Sequence, residues 1–147
     1  MTILLSATLL FLLACPCAAN EEDSDQKKSP EKRYNEAFYQ NLWCEEFGGE
    51  TEVRLPDKTR CDCLTEEYAI EFDFAKKWCE AVGQSLHYAR LTEKKAGIVL
   101  IIGQDPSKRE KDLEYLERLR AEIAYFQLPI KVWTTSRDEL SGTEGDD

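Results

Sequence analysis

Three carboxylates fall at strand-like positions within a dozen residues: Asp62 in the run Arg60 to Leu64, then Glu71 and Asp73 in the run Tyr68 to Phe74. Side chains alternate across a strand, so Glu71 and Asp73 share one face while Phe72 and Phe74 take the other. A hairpin turning at Thr65, Glu66 and Glu67 sets Asp62 beside Glu71 or a neighbour. Carboxylates gathered in this way repel one another unless a cation joins them, and a hard divalent ion, Mg2+ or Mn2+, suits oxygen ligands. Such an ion positions a water and offsets the charge that develops as a phosphodiester bond is cleaved. Downstream, Lys77 and Gln84 are seven residues apart on one helical stripe, with Tyr88 close by, and can point together at whatever the carboxylates hold. The preceding helix ends close by at Glu45 and Glu46, either of which could add an outer ligand, Glu46 being preferred. The expected ligand set is Asp62, Glu71, Asp73 and Glu46, with Lys77 and Gln84 as polarising or positioning groups.

Each of these residues also has a plainer reading. Asp62 can be a solvated strand residue, Glu71 and Asp73 the polar face of an amphipathic strand, Glu46 an exposed helix end, and Lys77 a side chain lying over Trp78 or Tyr88. Gly83 in mid-helix costs about 1 kcal/mol relative to alanine, for which close approach of the helix to the sheet or to a ligand would be a reason. His87, the single histidine, reads as a helix-surface residue, and Trp43, Trp78 and Trp133 read as core. One histidine and bridged cysteines leave no Ser/His/Asp triad or Cys/His protease, and Gly48 and Gly49 precede no helix that would make a phosphate loop.

The elements that must position these groups follow from periodicity. Tyr34, Phe38, Leu42 and Trp43 recur at helical spacing, with Ser29 and Pro30 as a start and Gly48 as a stop. Residues 51–55, 60–64 and 68–74 suit an antiparallel meander. A second helix spans about 75–90. The apolar run Ile98 to Ile102 fits a central buried strand, and Asp105 and Pro106 open a third helix with Leu113, Leu116, Leu119, Ile123 and Phe126 inward. Residues 130–133 form a last strand. The order is αβββαβαβ, an α/β fold with a mixed sheet flanked by helices.

Residues 1–19 carry the apolar run Leu9 to Leu13 of a secretory signal peptide, too short for a bilayer span. Leu12 to Cys15 also resembles a lipobox, in which Cys15 would take a lipid anchor. The expected organisation is a signal peptide at 1–19, a disordered linker at 20–30, one domain at 31–135 and a disordered acidic tail at 136–147, in a protein exported to the periplasm or the extracellular space. The 29 acidic and 19 basic residues give a net charge of −10, which disfavours general affinity for nucleic acid. Outside the leader, Cys44, Cys61, Cys63 and Cys79 read as two disulfides. Cys61 and Cys63 on one strand face cannot bond each other comfortably, so each needs its own partner, Cys44 with Cys63 and Cys61 with Cys79 being preferred. The spacing lacks the C-x2-C knuckle of a four-thiolate zinc site.

Taken together, the motifs resemble those of the PD-(D/E)XK nuclease superfamily, over roughly residues 34–102. Its core is αβββαβ, with an Asp on the second strand, (Asp/Glu)-x-Lys on the third and a Gln-containing motif on the next helix. Asp62 matches the first, Glu71-Phe72-Asp73 matches the second except for its lysine, and Gln84 to Tyr88 resembles Gln-x-x-x-Tyr. The resemblance implies a restriction endonuclease-like fold and Mg2+-dependent hydrolysis of DNA or RNA. With Asp73 where the family lysine stands, Lys77 is the best substitute and Lys76 the second. The alternative is a catalytically inactive protein of the same fold, acting in the envelope or outside the cell through interactions.

Overall fold

Asn35 opens the first described element: its side-chain oxygen accepts from the Phe38 amide at 3.1 Å, and helix α1 follows as Glu36–Glu46. The computed structural model describes residues 34–141. The leader, the linker, Ser29, Pro30 and the tail beyond 141 lie outside the described residues. Gly48 leaves α1 at φ 65°, a left-handed turn that favours glycine. Gly49 is confined by packing, since a Cβ there would stand 2.6 Å from the sulfurs of both Cys44 and Cys63.

Strands β1 (Glu50–Arg54), β2 (Arg60–Leu64) and β3 (Tyr68–Phe74) form the expected meander, with β1–β2 and β2–β3 antiparallel. A 3-10 turn, Ala75–Lys77, leads into α2 (Trp78–Thr92), so the second helix begins three residues later than periodicity suggested. Strand β4 (Lys95–Ile101) lies parallel to β3, with Glu71 opposite Ile98 and Asp73 opposite Leu100. It starts before Gly97, which pairs with Ile70 and Lys131 inside the sheet and is confined to glycine because a Cβ there would meet Ile70 and Trp133, each at 2.9 Å. Helix α3 (Pro106–Phe126) is capped by the Asp105 carboxylate accepting from Ser107 N, and Gln127, at φ 52°, ends it. Strand β5 (Ile130–Thr135) pairs parallel with β4.

The product is a five-stranded mixed sheet in the order β1-β2-β3-β4-β5, with helices on both faces. On one face α2 and α3 pack Ala81, Leu116 and Leu119 onto Ala96, Ile98 and Leu100. On the other, α1 packs Trp43 and Cys44 onto Cys63, Ile70, Phe72 and Val99, with Trp133 at the margin.

Three expectations need correction. The domain does not stop at 135: Arg137–Ser141 form helix α4, and Leu140 buries against Tyr39 and Ile101. Leu113 and Phe126 are exposed, because α3 presents only Leu116 and Leu119 fully to the core. Of the two disulfides, Cys44–Cys63 is formed, with its Cα atoms 5.8 Å apart, whereas Cys61 and Cys79 are free thiols. Cys61 packs with Leu55, Ala69 and Tyr88 on the α2 side, while Cys63 packs under α1. The strand therefore does not keep the two cysteines on one face, and Cys79 lies exposed in the first turn of α2.

Candidate active site

The break in β2 that separates the cysteines also builds the site. Register pairs Cys63 with Ile70, so Asp62 arrives opposite Glu71, but the ladder is not continued there. Instead the Asp62 carboxylate reaches across and accepts from the Phe72 amide at 2.8 Å. Its β1 neighbour Glu52 sits at φ 57°, a left-handed conformation that costs a non-glycine residue roughly 1–3 kcal/mol.

Glu71 and Asp73, on the α2-facing side of β3, are only 4% and 2% exposed. Such burial is costly for a charged carboxylate and favours its neutral form. Glu71 is pushed well above the ordinary range, first by burial and then by the charge of Asp62 and a hydrogen bond to it, with Asp73 and Glu36 adding repulsion. Burial also raises Asp62, against the pull of the Phe72 amide. The pair therefore shares protons rather than carrying two charges. Glu71 Oε2 has no hydrogen-bond partner although it is fully enclosed.

Asp73 is likewise raised by burial, opposed by the ammonium of Lys77, whose Nζ lies 3.2 Å from Asp73 Oδ1. That contact raises Lys77 in turn, and Glu80 stands 4.0 Å away on its outer side. Lys77 belongs to the 3-10 turn, so the tightening of the chain before α2 directs its side chain back onto β3. Gln84 Nε2 donates to the Tyr88 hydroxyl at 3.5 Å. Tyr88 is buried, and its phenol is raised by burial and then by Glu71 and Asp62, with a hydrogen bond to Glu71. Lys77 and Gln84 thus approach the carboxylates by separate routes, one through Asp73 and one through Tyr88.

The fourth carboxylate is not Glu46. That residue is exposed at the last position of α1, about 15 Å along the helix axis from Glu36. Glu36, in the first turn, hydrogen-bonds Asp73 and is pushed up to about 7 by burial, then by Asp73 and Asp62. Gln40, one turn on, is buried and donates to the Asp62 carbonyl at 2.6 Å. Cys44, one turn further, is bonded to Cys63. Glu36, Gln40 and Cys44 are spaced i,i+4, so one stripe of α1 faces the seam between β2 and β3. Polar Glu36 and Gln40 in helical register with Cys44 were the available signal for both residues.

Lys76 is exposed and contributes nothing to the cluster. His87 pairs with Asp57 at 2.7 Å, tying α2 to the β1–β2 turn. Gly83 is exposed, and a Cβ there would meet nothing within 4 Å, so close approach to the sheet is not its reason. Among the described residues, no three His, Cys, Asp or Glu side chains already converge to a metal-binding distance. The donor set still fits a hard cation chemically. Four carboxylates carry raised proton affinity, only Asp73 among them is ion-paired with Lys77, and one enclosed oxygen has no donor. A divalent ion exchanged for those protons would satisfy the group.

No match to this chain emerges among protein-family models, curated proteins or solved structures.

Proposed function

We propose that the chain is an exported metal-dependent nuclease, hydrolysing phosphodiester bonds of DNA or RNA on a restriction endonuclease-like scaffold. The observation that carries this reading is the enclosed Glu71, flanked by Asp62, Asp73 and Glu36 and left with one oxygen unpartnered. The αβββαβ order of the resemblance is followed by α1 through β4. Asp62, Glu71 and Asp73 would hold Mg2+ or Mn2+, with Glu36 in the outer role expected of Glu46. When bound, the ion supplies a water of lowered pKa and neutralises charge on the phosphoryl oxygens.

The chain's own residues do the rest. Asp73, where the motif has lysine, recruits Lys77 from the next turn, so an ammonium is held within 3.2 Å of the position whose residue lacks one. There it donates toward the attacking water or the developing phosphoryl charge. Tyr88, with Gln84 behind it, fixes Glu71 from the α2 side. The Cys44–Cys63 disulfide suits an oxidising compartment, and among the described residues no helix is long and apolar enough to cross a membrane.

A second reading, the catalytically silent interaction protein of the same fold, is favoured by the net charge of −10 and by the neutralisation of Lys77 by Asp73. A nuclease assay on the purified protein, with Mg2+, with Mn2+ and with chelator, separates the two. Cleavage should need the metal and be abolished in Glu71→Ala. Lys77→Ala should lower the rate by about 10- to 1,000-fold at nearly unchanged metal affinity. Activity that survives in Glu71→Ala sinks the site assignment. Absence of cleavage, together with no metal binding by calorimetry, leaves the interaction reading.

A further inference from the structure

We propose that Gln40 is a positioning residue for the carboxylate site, clamping the kinked hairpin pair Glu52 and Asp62 to α1 so that the Asp62 carboxylate stays against the Phe72 amide. The inference rests on the cation reading above for its functional consequence, and on geometry alone for the clamp itself.

Gln40 is a long polar side chain only 3% exposed on the face of α1 that also carries Cys44. A buried amide is unfavourable unless its donors are satisfied. Here Nε2 donates twice, to Asp62 O at 2.6 Å and to Glu52 Oε1 at 3.1 Å. The other oxygen of Glu52 accepts from Arg60 Nη1 at 3.1 Å. Glu52 and Asp62 stand across from one another between the register pairs Thr51–Cys63 and Val53–Cys61. This is where the left-handed φ of Glu52 falls and where the β2–β3 ladder stops. A strained strand position persists only when its surroundings hold it, and Gln40 supplies the hold from outside the sheet. Its consequence is local: Asp62 O is taken by α1, Asp62 Oδ2 accepts from the Phe72 amide, and Asp62 is held at the register position opposite Glu71. The Cys44–Cys63 disulfide, one helical turn away, anchors α1 to the same strand, so the clamp works against a fixed point.

Gln40→Met keeps the length and removes the donor. Two readouts are taken on the full-length oxidised protein: Mn2+ affinity by titration calorimetry and amide hydrogen exchange resolved by residue. Loss of a group that orients a metal ligand lowers metal affinity by about 10- to 100-fold, and that is the fall expected here. Phe72 should lose exchange protection while Val99 in β4 keeps its own, a difference that uniform destabilisation does not produce. Unchanged Phe72 exchange in Gln40→Met overturns the clamp. Selective loss at Phe72 with Mn2+ affinity equal to wild type overturns its role in positioning a ligand. Selective loss at Phe72 with no Mn2+ binding by either protein overturns the cation reading and leaves the clamp standing. If Gln40→Met does not fold, the exposed Glu52→Gln decides. It weakens one acceptor of Gln40 and the Arg60 pair, and should produce the same selective change at Phe72 to a smaller extent, its absence overturning the clamp.

Discussion

Phe72 and Asp73 are consecutive on β3 and almost equally enclosed, at 0% and 2% exposure, yet they enter opposite sides of the sheet with opposite energetic sign. Toward α1, Phe72 meets Trp43 edge to face with ring centroids 5.5 Å apart, within a layer completed by Ile70, Val99 and a disulfide. Burial there stabilises the fold in proportion to apolar area. On the other side, Glu71 and Asp73 meet Asp62, Lys77 and Glu36, and burial there works against the charged forms. A fold that only needed stability would fill those positions with aliphatic residues, as β4 does at Ile98 and Leu100. Expensive carboxylates held in place by a well-packed reverse side are what a site requires, and the reverse side must be strong enough to carry them.

The largest expected effect tests that dependence. Phe72→Ala should cost about 3–5 kcal/mol, read as a lower urea midpoint at unchanged slope. A loss below about 1 kcal/mol would mean the apolar layer is not what carries the domain.

The carboxylate side should answer to pH instead. Glu36, ordinarily near 4.5, is raised to about 7, and Asp62, Asp73 and Glu71 are raised in the same direction. The folded protein therefore keeps protons that the unfolded chain has released. The stability this brings is full below about pH 4.5 and, for Glu36, is lost as pH rises through about 7, with Glu71 extending the loss further. In chelator, the melting temperature should be higher at pH 5 than at pH 8, by roughly 4–8 °C for each kcal/mol gained. Glu71→Gln should flatten that dependence, and saturating Mg2+ should raise the pH 8 value. A melting temperature that climbs from pH 5 to pH 8 without metal would break the contrast between the two sides.

The smallest effect lies on α2, away from both layers. Gly83→Ala should stabilise by about 1 kcal/mol, because the added methyl meets open space and helix propensity alone is changed. Destabilisation, or loss of metal binding, would show that the helix bearing Gln84 and Tyr88 needs a flexible point.

Much of the arrangement is legible in residue order. The alternation Ile70-Glu71-Phe72-Asp73 already separates the two sides of β3, the hairpin already brings Asp62 to Glu71, and caps such as Asp105 with Pro106 already start α3. These are local rules, set by a strand period of two, a short turn or one helix terminus, and they hold whatever the rest of the chain does. Position across elements is another matter. Sequence proximity suggested Glu46 as the fourth carboxylate, yet Glu36 fills that place, because the path of α1 over the sheet brings its first turn, not its last, to Asp73. The i,i+2 rule put Cys61 and Cys63 on one face, and the break at Asp62 sent them to opposite layers, leaving a single disulfide. Lys77 reaches Asp73 only because the chain tightens into a 3-10 turn before α2, and Gln40 finds Asp62 only across 22 residues of sequence. Periodicity specifies which face of an element a side chain occupies. Which end of that element meets which partner is decided by how helices cross the sheet, through packing between residues that no local pattern connects.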